Sequence, residues 1–144
     1  MTVIMQSSAA SVATIITMLS IGALDLGQAV ALVIGAHIGT TLTAILAAIG
    51  ANVHAMRTAT AHVLFNLITA FIVFWLFPVI LPAIRAFNGL MGWEDPGVAV
   101  AVFHTFFAFF GILLLSPFID RFARLIVTMV PEREHRPVKE HAEL

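Results

Sequence analysis

Charged residues divide the sequence into four long windows without an Asp, Glu, Lys or Arg, at residues 1–24, 26–56, 58–84 and 96–119. A helix needs about 20 residues to cross roughly 30 Å of hydrocarbon, so each window is long enough to span a membrane. The third and fourth are rich in Phe, Ile, Leu and Val, which is typical of plain spanning helices. The first two hold more small and hydroxyl-bearing residues, so we expect them to be buried against protein. The pattern predicts an all-α integral membrane protein with about four hydrophobic helical segments.

The composition of the chain indicates the same class. Of its 144 residues 60% are hydrophobic and 10% are charged, with a mean hydropathy of +1.04, whereas a soluble domain carries about 25% charged residues. A formal net charge of −1 gives no electrostatic case for binding nucleic acid. The chain has no Cys, which excludes a thiolate metal site, a Cys nucleophile and a disulfide framework.

A first polar cluster, formed by Gln6, Ser7, Ser8 and Ser11, interrupts the first window. Such hydroxyls can bond back to carbonyls of their own helix or across a helix interface, as Ser and Thr often do in membranes. They can also bind a ligand. The primary amide of Gln6 favours the ligand, because it is hard to satisfy within its own helix and an unpaired polar group in an apolar medium costs about 2–7 kcal/mol.

A second polar cluster lies in the second window. Gly35 and Gly39 form a GxxxG pair, which allows close approach of another helix. Thr40, Thr41 and Thr43 follow directly, and this order predicts a helix that breaks and restarts at membrane depth. Unwound backbone there is tolerated only where protein or a water-filled cavity covers it. We therefore expect the first two segments to be broken or re-entrant, and the two clusters to form two halves of one ligand site.

The remaining chain is expected to supply spans and connections. We predict a helix N-cap at Asp25, a loop over residues 48–61, a third span over about 58–81, an aqueous loop over 82–97, and a fourth span over about 98–118. Within the third span His62 and Asn66 lie one turn apart, and either form an interhelical hydrogen bond or modulate the site.

The chain beyond residue 118 is expected to lie at the membrane surface. Residues 120–126 are amphipathic and predict an interfacial helix. We divide the chain into a transmembrane domain over residues 1–130 and a charged cytoplasmic tail over residues 131–144.

Basic residues predict the orientation. If the third and fourth segments both span, Arg85 lies on one side and the others lie on the opposite side: Arg57, Arg121, Arg124, Arg133, Arg136 and Lys139. The positive-inside rule then places the second side, with the C-terminus, in the cytoplasm of a multi-pass protein of the plasma (inner) membrane.

The chemistry of the two clusters suits small ions. Carbonyl and hydroxyl oxygens are ligands for a hard cation such as sodium, and hydroxyl, amide and helix N-terminal donors suit an oxyanion. The windows contain no Lys or Arg to balance an anion, so co-bound cations and helix dipoles would have to do so. Broken helices around a site at the midplane are typical of secondary transporters.

At this point the sequence resembles the sodium/phosphate cotransporters, the type II proteins and their bacterial relatives. Residues 6–11 match the family's QSSS-type motif, and residues 35–44 match its GANIGTT-type motif. The likeness extends through residues 59–66 and 104–107. It implies two inverted repeats that each contribute a QSSS-type motif to a shared site, of which this chain is the second repeat with the helices that follow it.

The resemblance also implies the site residues. Phosphate and sodium would bind at Gln6, Ser7, Ser8, Ser11, Gly39, Thr40, Thr41 and Thr43, with sodium held through Ser7, Ser8, Thr40 and Thr41. We name His37, His62 and Asn66 as modulators. The sequence departs from the family pattern in three places: Ala9 replaces the third serine, His37 replaces an asparagine, and residues 106–108 replace a Leu-Phe-Asn run.

Two hypotheses of function follow. The first is sodium-coupled transport of inorganic phosphate by the C-terminal half of a secondary transporter, with a partner chain supplying the first repeat or with a homodimer. The second is a non-transporting assembly or regulatory subunit derived from a transporter half. An enzyme is not expected, because the windows hold no carboxylate, Lys or Cys, and we expect no cofactor besides sodium as the coupling ion.

Overall fold

A computed structural model describes residues 1–132, and within them the chain forms seven α-helices and no β-strand. The helices are α1 (Thr2–Met5), α2 (Ser8–Ser20), α3 (Leu26–Ala48), α4 (Val53–Trp75), α5 (Phe77–Met91), α6 (Pro96–Leu115) and α7 (Ile119–Met129). A 3₁₀ turn, Ser116–Phe118, joins α6 to α7. The predicted cytoplasmic tail lies outside the described residues from position 133 onward, and so do Arg133, Arg136 and Lys139.

Three stretches are long and apolar enough to cross a membrane: α3, α4, and the continuous 34-residue run Pro96–Met129 that contains α6 and α7. The apolar helices α2 and α5 are shorter. The all-helical membrane class is therefore confirmed. The structure supplies three candidate spans, where the windows predicted about four.

The first segment is broken, as expected. Gln6 ends α1 in the left-handed conformation, with φ 50°. Ser7 is extended and caps α2, and its Oγ accepts a hydrogen bond from the N–H of Ala10.

The predicted break in the second segment is wrong, because α3 runs without interruption through both glycines and all three threonines. The physical reason is that each threonine hydroxyl bonds to a carbonyl of its own helix, so no unwinding is needed to satisfy it. The helix begins at a complete capping box between Asp25 and Gln28, which confirms the predicted N-cap.

The third segment differs from the prediction at both ends. Helix α4 begins at Val53, so the first connection is only residues 49–52, and Asn52 caps it by accepting from the N–H of Ala55. At the other end α5 occupies most of the predicted aqueous loop. Its apolar positions 77, 80, 81 and 84 pack on the core, and this gain outweighs the one backbone donor that Pro82 lacks.

The fourth segment is close to the prediction. Helix α6 begins at Pro96, one residue after its N-cap Asp95, and ends at Leu115. The amphipathic stretch beyond it forms α7.

The core lies where α2, α3, α4 and α6 meet. Ile15, Val30, Val33 and Val100 are almost completely buried there. Two glycines of α6 allow the close approach. A Cβ on Gly97 would lie 2.9 Å from Ile16 of α2, and one on Gly111 would lie 2.8 Å from both Phe65 and Thr69 of α4.

One hydrogen bond fixes which chain ends share a side of the bundle. The Nε of Arg57, near the start of α4, donates to the carbonyl of Val130, just after α7, over 3.0 Å. The other end of the bundle carries the start of α3, where Gly27 faces Leu81 of α5. Arg57 and α7 with its arginines therefore lie at one end, and Arg85 on α5 lies at the other.

The close approach at Gly111 predicts a stability difference between two Gly→Ala changes. Gly111→Ala should lower the free energy of unfolding by about 1–3 kcal/mol, because the new methyl group meets the stiff β-branched Thr69. Gly35→Ala is the matched control, since nothing lies within 4 Å of its new Cβ. It should be neutral or stabilising by up to about 1 kcal/mol. Denaturant unfolding in detergent micelles measures both, and equal effects would contradict the packing at Gly111.

Candidate functional site

Thr2 joins the two polar clusters. Its Oγ1 donates to the Oγ of Ser11 on α2 over 3.0 Å. Its Cβ lies against Gly39 of α3, where an added Cβ would come within 2.9 Å. Thr2 and Ser11 are both buried. The GxxxG expectation is therefore met at Gly39 alone, because nothing lies within 4 Å of a Cβ on Gly35.

This contact also sets the depth of the helix break. Gly39 lies 13 residues after Leu26 and 9 residues before Ala48. At a rise of 1.5 Å per residue it is about 20 Å from one end of α3 and about 14 Å from the other. The break at Gln6 and Ser7, packed beside it through α1, therefore lies near the middle of the span.

The break presents hydrogen-bond donors. Ser7 uses its oxygen to accept from Ala10, which leaves its hydroxyl proton free. The side chains of Gln6 and Ser8 form no hydrogen bond within the part of the chain that the structure describes, and Gln6 is exposed. The first N–H groups of α2 lack intrahelical partners, as at every helix start. An oxyanion would find donors and the positive end of a helix dipole here.

The threonines of α3 present acceptors instead. Thr40 donates to the carbonyl of His37 over 2.6 Å, Thr41 to Ile38 over 2.7 Å, and Thr43 to Thr40 over 2.7 Å. Each proton is committed to a carbonyl, so only lone pairs of the hydroxyl oxygen remain. Such an oxygen suits a cation better than an anion.

Ser11 has a positioning role. Its hydroxyl donates to the carbonyl of Ser7 over 2.9 Å while it accepts from Thr2. It therefore holds α1, the break and α2 together, and its proton is not available to a ligand.

The described contacts of the three residues named as modulators are with α3, α4 and α6. The Nδ1 of His37 is 3.1 Å from the carbonyl of Val33, so Nδ1 carries the proton, and the ring packs against His104 and Phe107 of α6 at centroid distances of 5.0 and 4.1 Å. On α4, Asn66 is buried and donates to the carbonyl of His62 over 2.9 Å.

This bond corrects the expected interhelical hydrogen bond, because the amide of Asn66 is satisfied by a carbonyl of its own helix. The side chain of His62 is exposed. Sequence reasoning also missed Thr2. The available signal was a hydroxyl within the apolar run that directly precedes the first cluster.

A helix broken near mid-depth, lined by hydroxyls and packed on a long apolar helix, defines a class: a helical membrane protein with a site of the kind that secondary transporters use. Comparison with known families is more specific. The model of the Na+/Pi-cotransporter family matches residues 1–116, and the chain belongs to that family.

Curated relatives agree with this membership. The chain is 32% identical over 135 residues to the uncharacterized protein YqeW of Bacillus subtilis, covering 92% of this chain and 42% of the relative. It is 33% identical over 130 residues to the putative inorganic phosphate export protein YjbB of Escherichia coli, covering 89% and 23%. It is 34% identical over 97 residues to the sodium-dependent phosphate transport protein 2C of Mus musculus, covering 62% and 16%.

The chain thus spans less than half the length of these relatives. No solved structure matches it.

The role of Ser11 predicts a loss of stability. Ser11→Ala should lower the free energy of unfolding by about 1–2 kcal/mol, because it leaves the buried Oγ1 of Thr2 without its acceptor. Thr17→Ala is the control, since Thr17 makes the same kind of bond to a helix carbonyl but is exposed. We expect it to stay within about 0.5 kcal/mol of the wild type. Thermal or denaturant unfolding measures both variants. If Ser11→Ala lowers the free energy of unfolding as little as Thr17→Ala does, Ser11 does not have this positioning role.

Proposed function

We propose that this chain carries out sodium-coupled transport of inorganic phosphate as the C-terminal half of a secondary transporter. The observation that carries the proposal is the helix break at Gln6 and Ser7, held near mid-depth against Gly39 by Thr2. The chain belongs to the Na+/Pi-cotransporter family, and this membership suggests sodium and phosphate as the two transported ions. Relatives named for phosphate export and for sodium-dependent phosphate transport support it.

The phosphate half of the proposed site is the start of α2. Gln6, Ser7 and Ser8 have donors that no described residue uses. Phosphate oxygens accept hydrogen bonds from such donors and from helix N-termini without a fixed positive charge. Ala9 stands where the family pattern has a third serine, so this chain has one hydroxyl donor fewer.

The sodium half of the proposed site is formed by Thr40 and Thr41 of α3. Thr40 and Thr41 have their protons committed to carbonyls, so their lone pairs face outward from those bonds. Gly39 keeps the backbone there open to α1. In this assignment the serines serve the anion, whereas the resemblance had placed sodium on Ser7 and Ser8 as well.

A second unit of the same kind completes the site in this proposal. The chain covers 42% of one relative and 23% of another, and one broken helix offers donors on one side of an anion only. A partner chain or a second copy can supply the completing repeat.

Transport assays should distinguish residues that bind phosphate from residues that bind sodium. In proteoliposomes with a sodium gradient, we expect wild-type uptake of radiolabelled phosphate to depend on sodium. Ser8→Ala should raise the phosphate concentration needed for half-maximal uptake by about ten-fold, the effect of one hydrogen bond to a charged ligand. Thr40→Val should instead raise the sodium requirement.

Thr17→Val serves as the control for these variants, since Thr17 bonds its own helix away from the break. Retained wild-type uptake in Ser8→Ala or Thr40→Val would remove that residue from the site. Uptake that ignores sodium would contradict the coupling.

The alternative is a non-transporting membrane module derived from a transporter half. The specific observation in its favour is Ala9, which stands where the family pattern has a serine and so removes a donor at the break. Correctly inserted wild-type protein that moves no phosphate even together with a chain that carries the first repeat would favour this alternative.

The orientation of the chain belongs to the same proposal. The end of the bundle with Arg57 and α7 should face the cytoplasm. Since the chain has no Cys, labelling of the single-cysteine variants Ala51→Cys and Glu94→Cys is free of background from native cysteines. The two variants report which end of the bundle faces the outside of the cell. An impermeant maleimide added to intact cells should label Glu94→Cys only. Labelling of Ala51→Cys alone would reverse the orientation.

A further inference from the structure

Two histidines from different spans contact each other. His37 of α3 and His104 of α6 have ring centroids 5.0 Å apart, with the ring planes tilted by 49°. Both side chains are half-buried. The windows that contain them, residues 26–56 and 96–119, hold no Asp, Glu, Lys or Arg, and the chain has no Cys. Imidazole is therefore the side chain best suited to bind zinc, copper or nickel where these two helices meet.

The ring of His37 is held in the way that a metal-ligating imidazole is held. Its Nδ1 donates to the carbonyl of Val33 over 3.1 Å. A metal-bound histidine almost always gives its other ring N–H to a carbonyl, a carboxylate or water, which fixes the tautomer and the orientation of the ring. Phe107 packs on the same ring at a centroid distance of 4.1 Å. With the proton on Nδ1, the lone pair of Nε2 is the atom of this ring that can bind a cation.

The distance between the two rings fits one shared ion. No hydrogen bond to the ring of His104 occurs among the described residues, so no polar contact fixes which of its nitrogens faces His37. Zinc lies about 2.0–2.1 Å from each ring nitrogen and hence about 3.2 Å from each ring centre. Centroids 5.0 Å apart then correspond to an angle of about 100° at the ion, close to the tetrahedral angle of about 109° that zinc sites adopt.

The other coordination positions of such an ion are open. Within residues 1–132 no group of three or more His, Cys, Asp or Glu side chains comes together, so two imidazoles are the whole protein contribution there. Zinc sites with fewer than four protein ligands complete the tetrahedron with water or another small ligand. Because both rings are only half-buried, such a ligand has access, and an anion in this position would offset part of the charge of the ion.

We propose that His37 and His104 together bind one divalent transition-metal ion of the zinc, nickel or copper class and so link α3 to α6. Imidazole suits these metals, whereas the hydroxyl oxygens of Thr40 and Thr41 suit a hard cation. The site is therefore distinct from the proposed sodium half. It stands or falls without any transport measurement.

Thermal unfolding tests the site with Zn²⁺ as the probe. The purified full chain is studied in detergent without a histidine tag, and the dissociation constant for Zn²⁺ is measured by isothermal titration calorimetry. An ion that binds the folded chain stabilises it, so Zn²⁺ at about 100 times its dissociation constant should raise Tm by about 5–10 °C. A chelator should reverse the rise. Mg²⁺ should leave Tm unchanged, because it prefers oxygen ligands.

Variants assign the effect to the pair. His37→Gln and His104→Gln should each abolish the rise in Tm. His62→Gln is the matched control, since His62 is an exposed histidine of the neighbouring helix α4, and this variant should keep the rise. His104→Cys should restore it, because a thiolate also binds zinc. This variant keeps the test decisive if either glutamine variant folds poorly.

Four results would overturn the proposal. The first is an equal Tm of the wild type with and without Zn²⁺, and the second is the same rise with Mg²⁺. The third is a rise that survives in a folded His37→Gln or His104→Gln variant. The fourth is a loss of the rise in His62→Gln or in a folded His104→Cys variant.

Discussion

Most of the hydroxyls in the described helices obey one constraint: a polar group in the middle of a membrane is costly unless it finds a partner inside the protein, and the buried Oγ1 of Thr69 is an exception. Along α2 the hydroxyls of Ser11, Thr14 and Thr17 each return to a carbonyl four residues earlier, at 2.9 Å. Along α3 the threonines return to carbonyls three residues earlier. These bonds make helices with many hydroxyls stable without water, and they turn a helix rich in Ser and Thr into an ordinary packing element.

Against that background Gln6 and Ser8 are different, because no described residue pairs their side chains. Gln6 also has a positive φ of 50°, a conformation that few residues other than glycine adopt. Strained backbone of this kind persists where surrounding structure requires it and is common at ligand sites. Here the surrounding structure is the contact of Thr2 with Ser11 and Gly39, which holds the strained residue in place.

The elements that the sequence predicted correctly are those with a local cause. The capping carboxylate of Asp25 and the apolar length of α6 each follow from residues within one or two turns. The predicted break in α3 failed because adjacent threonines look identical in sequence whether their hydroxyls face a ligand or fold back on the helix. Only the distances to carbonyls distinguish the two.

Helix α5 was missed for another reason. The sequence predicted an aqueous loop over residues 82–97, whereas the apolar positions 77, 80, 81 and 84 pack on the core in a helix that continues through Pro82. The sequence shows a hydroxyl at Thr2 close to the first cluster, but the role of Thr2 depends on the packing of α1 against α3. The sequence also could not show which hydroxyls suit an anion and which suit a cation, because that depends on where each hydroxyl donates its proton.

An uncharged interior has a consequence for any anion that enters it. The windows that contain the break and the three threonines, residues 1–24 and 26–56, hold no Asp, Glu, Lys or Arg. Burying a charge without a partner is far more costly than burying a hydroxyl, and helix dipoles offset only part of that cost. A chain with a fixed Arg or Lys at this depth would hold a phosphate tightly by itself. This chain has none in those windows, so under the proposed function the compensating charge arrives with the phosphate, and this requirement is a physical reason for the proposed coupling to a cation.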